Sequence, residues 1–462
     1  MNQTGTDRLQ FEADYDVLVI GGGTTGTCAA LAAARGGARV AIVDVYGFLG
    51  GFAVSKFTWL GFHDPRRRLV VKGIPLEITE RVRALGGATE VYFDPIWNSS
   101  VGINPTWLKV ALADMTREAG IDVYLHSLAT GVRRRDAATV SGVIIHNKQG
   151  CQALDARVMV DCTDSADVAV LAGAAASFGR AGDGKPQVAS TIVDIGGIDM
   201  EALFAWFAAH PDQIRPFPLA PETLKTLLAR MRQGPVFGMG AFPALVEQAV
   251  ADGVDFPRDR VIGIGFPQWG EMKLVTTRIP DVNPNDVRNY SAAELEGLRQ
   301  IKGVMAFVRG YMPGGRQARV IGSSHQIGLR ETRHITGDYL LTGADLMAGK
   351  AFDDTIALGA YHLDIHSPDH RGLETNQPPV YQIPYRCLLP RGLDNLLVAG
   401  RCISADHAAA ASTRVIPISA AQGQAAGTAA ALAAAAGVST RKLDITALRD
   451  SLRRQGAELD AH

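Results

Sequence analysis

The chain has few cysteines and no excess of charge of either sign. Its 462 residues include five cysteines with no C-x-x-C pair: Cys28, Cys151, Cys162, Cys387 and Cys402. This odd number and wide spacing indicate neither a disulfide framework nor a metal site, and they are typical of a reducing, cytoplasmic compartment. The 46 lysines and arginines are balanced by 47 aspartates and glutamates, which argues against a nucleic-acid-binding protein.

Long hydrophobic runs are absent as well. Residues 1–10 are polar and lack the basic and apolar regions of a signal peptide. The alanine-rich stretch 405–437 is interrupted by polar residues and a proline, namely Arg414, Pro417, Gln422 and Gln424. Because a membrane span needs about 18 consecutive apolar residues, we expect no span here and interpret the stretch as a buried helix.

The N-terminal part has the pattern of a strand, a tight turn and a helix. Residues 15–20 form a short apolar run, three glycines follow, and 27–35 is rich in alanine. Residues 39–44 predict a second buried strand, so the unit is a βαβ motif with parallel strands. The length of the chain predicts two structural regions, each with its own core.

The glycines of the turn have the spacing of a dinucleotide-binding fingerprint. Gly21, Gly23 and Gly26 form G-x-G-x-x-G between the predicted strand and helix. These glycines permit a tight turn, a close approach of the backbone to a pyrophosphate, and close packing of the helix on the strand. The N-terminus of the helix attracts phosphate, so we expect a dinucleotide at this turn.

An acidic residue follows the second predicted strand. Asp44 lies 18 residues after Gly26 (44 minus 26). A carboxylate at this position accepts hydrogen bonds from the adenosine ribose and disfavours a 2′-phosphate, so NADP is not expected. We predict that Asp44, its neighbour Val45 and Thr25 of the turn contact the dinucleotide. These features do not distinguish FAD from NAD.

The C-terminal part favours FAD through a resemblance. From Arg386 the chain reads RCLLPRGLDNLLVAGRCISADHAAAASTRVIPISAAQGQAAGTAAALA, and earlier segments read YGFLGG at 46–51, DCTDSADVAVLAGA at 161–174 and GLRETRHITGDYLLT at 328–342. These segments resemble the FAD-dependent oxidoreductases related to the fumarate-reductase-type flavoproteins. The resemblance covers most of the chain, more weakly from about 200 to 305, and it implies one bound FAD.

The resemblance assigns further N-terminal residues to the cofactor. Gly50 and Gly51 would let the backbone pass close to the phosphates and the isoalloxazine ring. Thr163 belongs to a strand-end motif that usually ends in glycine beside the cofactor. Asp164 replaces that glycine here, which puts one backbone contact in doubt.

The resemblance also assigns C-terminal residues to the flavin. A late strand at 395–399 would end beside the ribityl chain, where Gly400 and Arg401 follow it. A helix is predicted over 419–436, with Pro417 placed where a first turn tolerates proline, and the N–H groups of 418–422, from Ile418 to Gln422, would point at the pyrimidine ring. A helix N-terminus stabilises the negative charge that reduced flavin carries there.

Three residues are candidates for the chemistry. His407 and Arg414 lie in a predicted loop between the late strand and the last helix, which should border the isoalloxazine. His366 lies in a segment that the resemblance places near the same cavity. A histidine can transfer a proton near neutral pH, and an arginine can hold a carboxylate or carbonyl in its planar fork. The alternatives are a structural histidine and a core salt bridge, and we interpret the cluster at 330–334 as a domain-interface network.

These patterns predict an α/β fold with a Rossmann-like, discontinuous FAD-binding domain and an inserted α+β substrate domain. The predicted boundaries are 12–190 with 375–440 for the FAD-binding domain, 191–374 for the substrate domain and 441–462 for a C-terminal helical tail. The predicted function is hydride transfer between a small organic substrate and FAD. A flavoenzyme with non-redox chemistry, such as an isomerase, and an FAD-holding electron-transfer subunit are the alternatives. The electron acceptor, covalent flavin attachment and homo-oligomerisation stay open.

Overall fold

The computed structural model describes residues 10–55, 58–92, 97–215, 221–372 and 374–461. The strands in these ranges are β1 (Gln10–Ile20), β2 (Val40–Val43), β3 (Thr58–Leu60), β4 (Ser100–Gly102), β5 (Asp122–Tyr124), β6 (Leu128–Arg134), β7 (Val140–Asn147), β8 (Gly150–Asp161), β9 (Ala176–Phe178), β10 (Val193–Gly196), β11 (Ile214–Arg215), β12 (Phe237–Ala241), β13 (Val261–Phe266), β14 (Glu271–Leu274), β15 (Arg319–Ser323), β16 (Arg333–Ile335), β17 (Thr355–Gly359), β18 (Leu363–Ile365), β19 (Glu374–Asn376), β20 (Tyr381–Pro384) and β21 (Leu396–Val398). The helices in these ranges are α1 (Thr24–Arg35), α2 (Ile74–Ala84), α3 (Pro105–Glu118), α4 (Asp167–Leu171), α5 (Met200–Ala209), α6 (Pro221–Gln233), α7 (Pro243–Ala251), α8 (Val287–Gly310), α9 (Gly343–Met347), α10 (His407–Thr413), α11 (Ile416–Ala436) and α12 (Ile445–Arg454).

The first sheet has a parallel centre. Its strands β5, β2, β1 and β8 lie side by side in parallel, with Val17 opposite Val40 and Val158. The first half of β8 pairs with antiparallel β7, and its last residues pair in parallel with β21. The apolar runs predicted as strands occupy β1, β2 and β21, where they are buried because helices cover the sheet. The predicted α/β fold with a Rossmann-like sheet is confirmed.

Helices α1 and α11 lie in close contact. A Cβ atom on Gly423 would overlap the carbonyl oxygen of Thr25, and one on Gly427 would overlap that of Ala29. Only glycine allows the two backbones to approach so closely. This contact brings the N-terminal ends of both helices to the same edge of the first sheet, although about four hundred residues separate them in the chain.

The second sheet is antiparallel and lies in the inserted segment. Its strand order is β11-β12-β13-β14-β10-β15, and helices α5 to α8 belong to the same stretch of chain. It has a core of its own, rich in phenylalanine: Phe204, Phe207, Phe237, Phe242, Phe256 and Phe307. Residues after this sheet, such as Leu341 and Tyr361, pack instead in the core of the parallel sheet. The domain boundaries stay a prediction, and this packing favours an earlier end of the inserted segment.

Two local predictions differ from the structure. The segment predicted as a loop between β21 and the last helix contains α10, because Asp406 caps it by accepting a hydrogen bond from Ala409 N at 2.7 Å and four alanines follow His407. The last helix begins at Ile416 and not at Ser419, with Pro417 in its first turn, where proline is tolerated. His407 is therefore the first residue of a short helix, and Arg414 follows its last residue.

In the part of the chain that the structure describes, no helix is both long and apolar enough to cross a membrane. Among the same residues, no three or more histidine, cysteine, aspartate or glutamate side chains come together as metal ligands.

Candidate cofactor and substrate site

The fingerprint glycines form the tight turn that the spacing predicts. Gly21 has a φ of +98°, and a Cβ there would overlap the Cys162 carbonyl oxygen. A Cβ on Gly26 would overlap the Gly21 carbonyl oxygen, so helix α1 touches the turn itself. Gly23 differs, because a Cβ there would meet no heavy atom within 4 Å. The first and third glycines thus close the turn, and the middle one faces open space of the kind that a pyrophosphate needs.

Asp44 lies at the end of β2 beside this turn. It is 6% exposed and accepts hydrogen bonds from the backbone N–H groups of Gly22 and, at 2.7 Å, of Tyr46. Burial raises the pKa of Asp44 to about 6, although these hydrogen bonds lower it. The carboxylate is therefore held in place by the backbone at the carboxyl edge of the sheet, where dinucleotides bind.

Three cavities run along this edge. The nucleotide cavity, of about 1100 Å³, is lined by the predicted residues Gly21, Gly23, Asp44, Val45, Gly51, Thr163 and Arg401. The central cavity, of about 830 Å³, is lined among others by Gly23, Thr25, Gly50, Arg330, Arg401, Arg414, Ile416 and Ser419. The inner cavity, of about 840 Å³, is lined among others by Thr58, Trp97, Lys273, Tyr361, Asp364, His366 and Arg414. The central cavity shares lining residues with each of the other two, so the three are neighbours, and we refer to them together as the cleft.

Asp164 occupies a backbone conformation that favours glycine. Its φ is +70°, and its side chain lies 3.6 Å from Arg401 Nη2. Asp164 lines both the nucleotide and the central cavity. Aspartate tolerates a positive φ better than most residues, so the turn is kept although glycine is replaced. The replacement also adds a carboxylate to the cleft.

The start of α11 corrects part of the predicted flavin contact. The N–H groups without an intrahelical acceptor belong to Ile416 and Ile418, because Pro417 has none and Ser419 N donates to Val415 O at 2.9 Å. Ile418 is fully buried and does not line the three cavities, whereas Ile416 and Ser419 line the central cavity.

Gln422 lies further along the same helix and has another role. Its Oε1 accepts from Gly400 N at 3.1 Å, and its Nε2 donates to Thr413 O at 3.0 Å. Gln422 and Gly400 therefore hold the chain after β21 against α11, and neither lines the three cavities.

His366 and Arg414 come together in the inner cavity around one carboxylate. His366 Nε2 lies 3.3 Å from Asp364 Oδ2, and Arg414 Nη2 lies 3.5 Å from the same oxygen. Burial and the nearby Arg330 hold the pKa of His366 well below its usual value. Although burial raises the pKa of Asp364, His366, Arg414 and Arg330 lower it far below its usual value. The inner cavity therefore contains a neutral imidazole, an ionised carboxylate and a guanidinium.

His407 lies elsewhere. Its Nδ1 is 2.8 Å from Oε2 of Glu331, a fully buried carboxylate that also lies 3.7 Å from His334 Nε2. Although burial raises the pKa of Glu331, the neighbouring side chains of His334 and His407 lower it to about 2. His407 is absent from the lining of the three cavities, so the structure separates it from His366 and Arg414.

Several lining residues carry no signal that sequence reasoning could have used. Lys273 comes from β14 of the second sheet, and Thr58 and Ser100 come from the short strands β3 and β4. Arg330 was assigned to a domain-interface network, yet it lines both the central and the inner cavity.

The sequence matches the family model described as FAD dependent oxidoreductase over residues 16–452. The chain belongs to this family of FAD-dependent oxidoreductases, and its cofactor is FAD. The open space at Gly23, the backbone-held Asp44 and the nucleotide cavity beside them fit this cofactor.

Solved structures with similarity along nearly the whole chain include three oxidoreductases or related proteins. A geranylgeranyl bacteriochlorophyll reductase-like protein from Thermoplasma acidophilum is 12% identical, with 97% of this chain and 85% of that chain covered and a TM-score of 0.49. The p-nitrophenol 4-monooxygenase from Pseudomonas putida is 10% identical, with 97% and 87% covered and a TM-score of 0.47. Glycine oxidase from Bacillus cereus is 12% identical, with 97% and 99% covered and a TM-score of 0.41. No curated protein matches the sequence. The narrower resemblance to fumarate-reductase-type flavoproteins finds no support in these matches.

We expect Asp44→Ala to weaken FAD binding by about ten- to a hundredfold, because hydrogen bonds to a charged group contribute about 1.5 to 3 kcal/mol. The measurement is the dissociation constant of FAD for apoprotein, followed by the quenching of flavin fluorescence. Asp16, which lies on β1 and pairs with Arg157 at 3.4 Å, offers a matched control as Asp16→Ala. An unchanged FAD affinity in Asp44→Ala would show that the carboxylate does not bind the ribose.

Proposed function

We propose that the protein transfers a hydride between a small organic substrate in the inner cavity and FAD in the adjoining cleft. The observation that carries this proposal is the shared wall of the inner and central cavities: Ile192, Val275, Arg330 and Arg414. When bound, FAD supplies the hydride acceptor or donor. The chain's own task is to bind the substrate, orient it and move one proton.

His366 has the geometry of the proton-transferring residue. Its Nε2 faces the ionised Asp364, so Nε2 carries the hydrogen and Nδ1 has a free lone pair. Nδ1 is buried and has no hydrogen-bond partner among the described residues. In substrate oxidation, an O–H or N–H group of the substrate would give its proton to His366 Nδ1, while bound FAD would supply the acceptor for the hydride of the neighbouring carbon–hydrogen bond. In the reverse direction His366 returns the proton.

Arg414 is held so that part of its guanidinium stays available. Its Nη2 donates to the backbone oxygen of Asp364 at 3.0 Å, and Nε has no hydrogen-bond partner in the described part of the chain. Its side chain is only 9% exposed. We infer that Arg414 orients a substrate carboxylate or carbonyl against His366.

Arg414→Lys should keep the charge but lose the planar fork, and we expect substrate to reduce the flavin about ten- to a hundredfold more slowly. The measurement is stopped-flow reduction under anaerobic conditions, with FAD content determined for each variant. Arg449→Lys on α12 is the matched control. A reduction rate equal to that of the wild type would remove Arg414 from the substrate site.

The proposed function is tested by mixing the holoenzyme anaerobically with a panel of alcohols, amines, and hydroxy and amino acids. Loss of the oxidised flavin absorption supports hydride transfer. Turnover without net loss of absorption contradicts it in favour of an isomerase. A flavin that no substrate alters, but that a protein electron donor reduces, contradicts it in favour of an electron-transfer subunit.

We further propose a cytoplasmic location, since Cys28, Cys151, Cys162, Cys387 and Cys402 are all free thiols. The identity of the electron acceptor and homo-oligomerisation are left to experiment.

A further inference from the structure

The inner cavity is lined by more positive than negative charge. Lys273, Arg330 and Arg414 line it, together with one carboxylate, that of Asp364. Asp364 lies closest to Arg414 and His366, as described above, and no ion pair joins it to Lys273 or Arg330 in the described part of the chain. Asp194 forms an ion pair with Lys273, while Glu271 and Glu331 lie near Lys273 and Arg414 without an ion pair to either among the described residues.

A second arginine lies behind Arg330. Arg258 is 1% exposed, and its Nη2 lies 3.4 Å from the hydroxyl of Ser190. Arg330 donates to the same hydroxyl at 2.8 Å and to Val188 O at 2.6 Å. Neither guanidinium is paired with a carboxylate within the described ranges, and burial lowers the pKa of Arg258 to about 10.

The positive charge around the inner cavity is therefore not balanced by carboxylates. Three cations, Lys273, Arg330 and Arg414, line the cavity with the single carboxylate of Asp364, while Asp194 pairs with Lys273 and Arg258 lies behind Arg330. The nearby Glu331 is already bound by two histidines. Buried cations without partners are costly, and an anion that enters the cavity offsets that cost.

Lys273 lies on a strand of the second sheet, unlike Arg330 and Arg414. It belongs to β14 of the inserted segment, and its side chain is 6% exposed. Burial lowers the pKa of Lys273 to about 8, although its ion pair with Asp194 raises it. Next to it, the wall of the cavity is apolar, formed by Leu60, Ile262, Ile264 and Val275. A ligand that reaches Lys273 therefore meets one cation beside apolar side chains.

We infer that the inner cavity selects an organic acid, that is, a substrate with a carboxylate and an apolar body, and that Lys273 is a specificity-determining residue for that carboxylate. This inference rests on the proposed function, because it concerns the substrate of the same site. The inference goes beyond the proposed function by naming the substrate class and a residue from the inserted segment. Arg414 and His366 remain the residues that act at the reacting atoms.

The test uses the holoenzyme and matched pairs of acids and neutral amides as probes: acetate and acetamide, hexanoate and hexanamide, and benzoate and benzamide. Binding is followed by isothermal titration calorimetry and by the shift of the flavin absorption spectrum. We expect each acid that binds to do so at least about tenfold more tightly than its amide. Lys273→Met should weaken acid binding about ten- to a hundredfold and leave amide binding unchanged, and Lys273→Arg should restore most of the acid affinity.

Two controls keep the result interpretable. Lys302→Met changes an exposed lysine on α8 and should leave both affinities as they are. The double variant Lys273→Met with Asp194→Asn removes both members of the ion pair, so weak acid binding in it cannot come from an unpaired Asp194. Normal FAD content in every variant shows that the fold is intact.

The inference is overturned if no acid binds more tightly than its amide, or if Lys273→Met binds acids as well as the wild type does. These outcomes are distinct from a failure of the proposed function. Selective acid binding without flavin reduction by any substrate would contradict the hydride transfer alone. Flavin reduction by a neutral substrate, without any preference for acids, would contradict the inference alone.

Discussion

Replacing His366 with alanine should slow the reduction of FAD by substrate about a hundred- to ten-thousandfold, the usual contribution of a general acid or base. His366 Nδ1 is the buried atom that we expect to take the proton, and Asp364 holds the ring in the tautomer that leaves this atom free. The measurement is single-turnover flavin reduction under anaerobic conditions. His210→Ala is the matched control. His210 is exposed and stacks on Trp206, which packs against the core of the second sheet.

The pH dependence of the same reaction tests whether His366 is neutral. Burial and Arg330 lower the pKa of His366, so the imidazole stays neutral well below the usual histidine range. As the pH falls through this lowered pKa, the ring binds a proton and loses its ability to accept one. We therefore expect the rate of substrate oxidation to stay level near neutral pH and to fall only in more acidic solution.

His407 is the competing candidate from the sequence. If His366→Ala reduced its flavin at the normal rate while His407→Ala lost the reaction with full FAD content, the proton transfer would belong to His407 and its partner Glu331. An inflection near neutral pH in the wild type would also contradict a histidine whose pKa is strongly lowered.

Gly26→Ala should abolish stable FAD binding and destabilise the fold by about 3 kcal/mol or more, at the upper end of what overpacking costs. The added Cβ would overlap the carbonyl oxygen of Gly21, which is backbone and cannot rotate away. Strand β1, the turn and α1 would have to move apart. The measurements are the FAD content of the purified protein and its midpoint of thermal unfolding.

Two other glycine variants distinguish an effect on the stability of the fold from an effect on FAD binding. Gly23→Ala adds a Cβ that meets no heavy atom within 4 Å, so the fold should persist while FAD affinity falls about ten- to a hundredfold. Gly310→Ala, at the end of α8 and equally free of contacts, should change neither quantity markedly. A Gly26→Ala protein with normal FAD content and unfolding midpoint would show that the turn is looser than described.

The sequence by itself determined the local elements around the cofactor. The apolar runs and the glycine spacing predicted β1, α1 and β2 with Asp44 at the end of β2. This is possible because strands, turns and helix ends depend on residues within a few positions of each other. The sequence also showed that Asp164 replaces a glycine of the strand-end motif. Its φ of +70° lies in the region that favours glycine.

The tertiary structure alone decided which distant residues share the inner cavity. Lys273 from β14, Asp364 and His366 near β18, and Arg414 after α10 meet only because the second sheet packs against the cofactor cleft. The sequence likewise placed His407 beside Arg414, seven residues away (414 minus 407), but α10 turns His407 toward Glu331. Helix rotation and long-range packing set the direction of a side chain, and neither is encoded in the spacing of neighbouring residues.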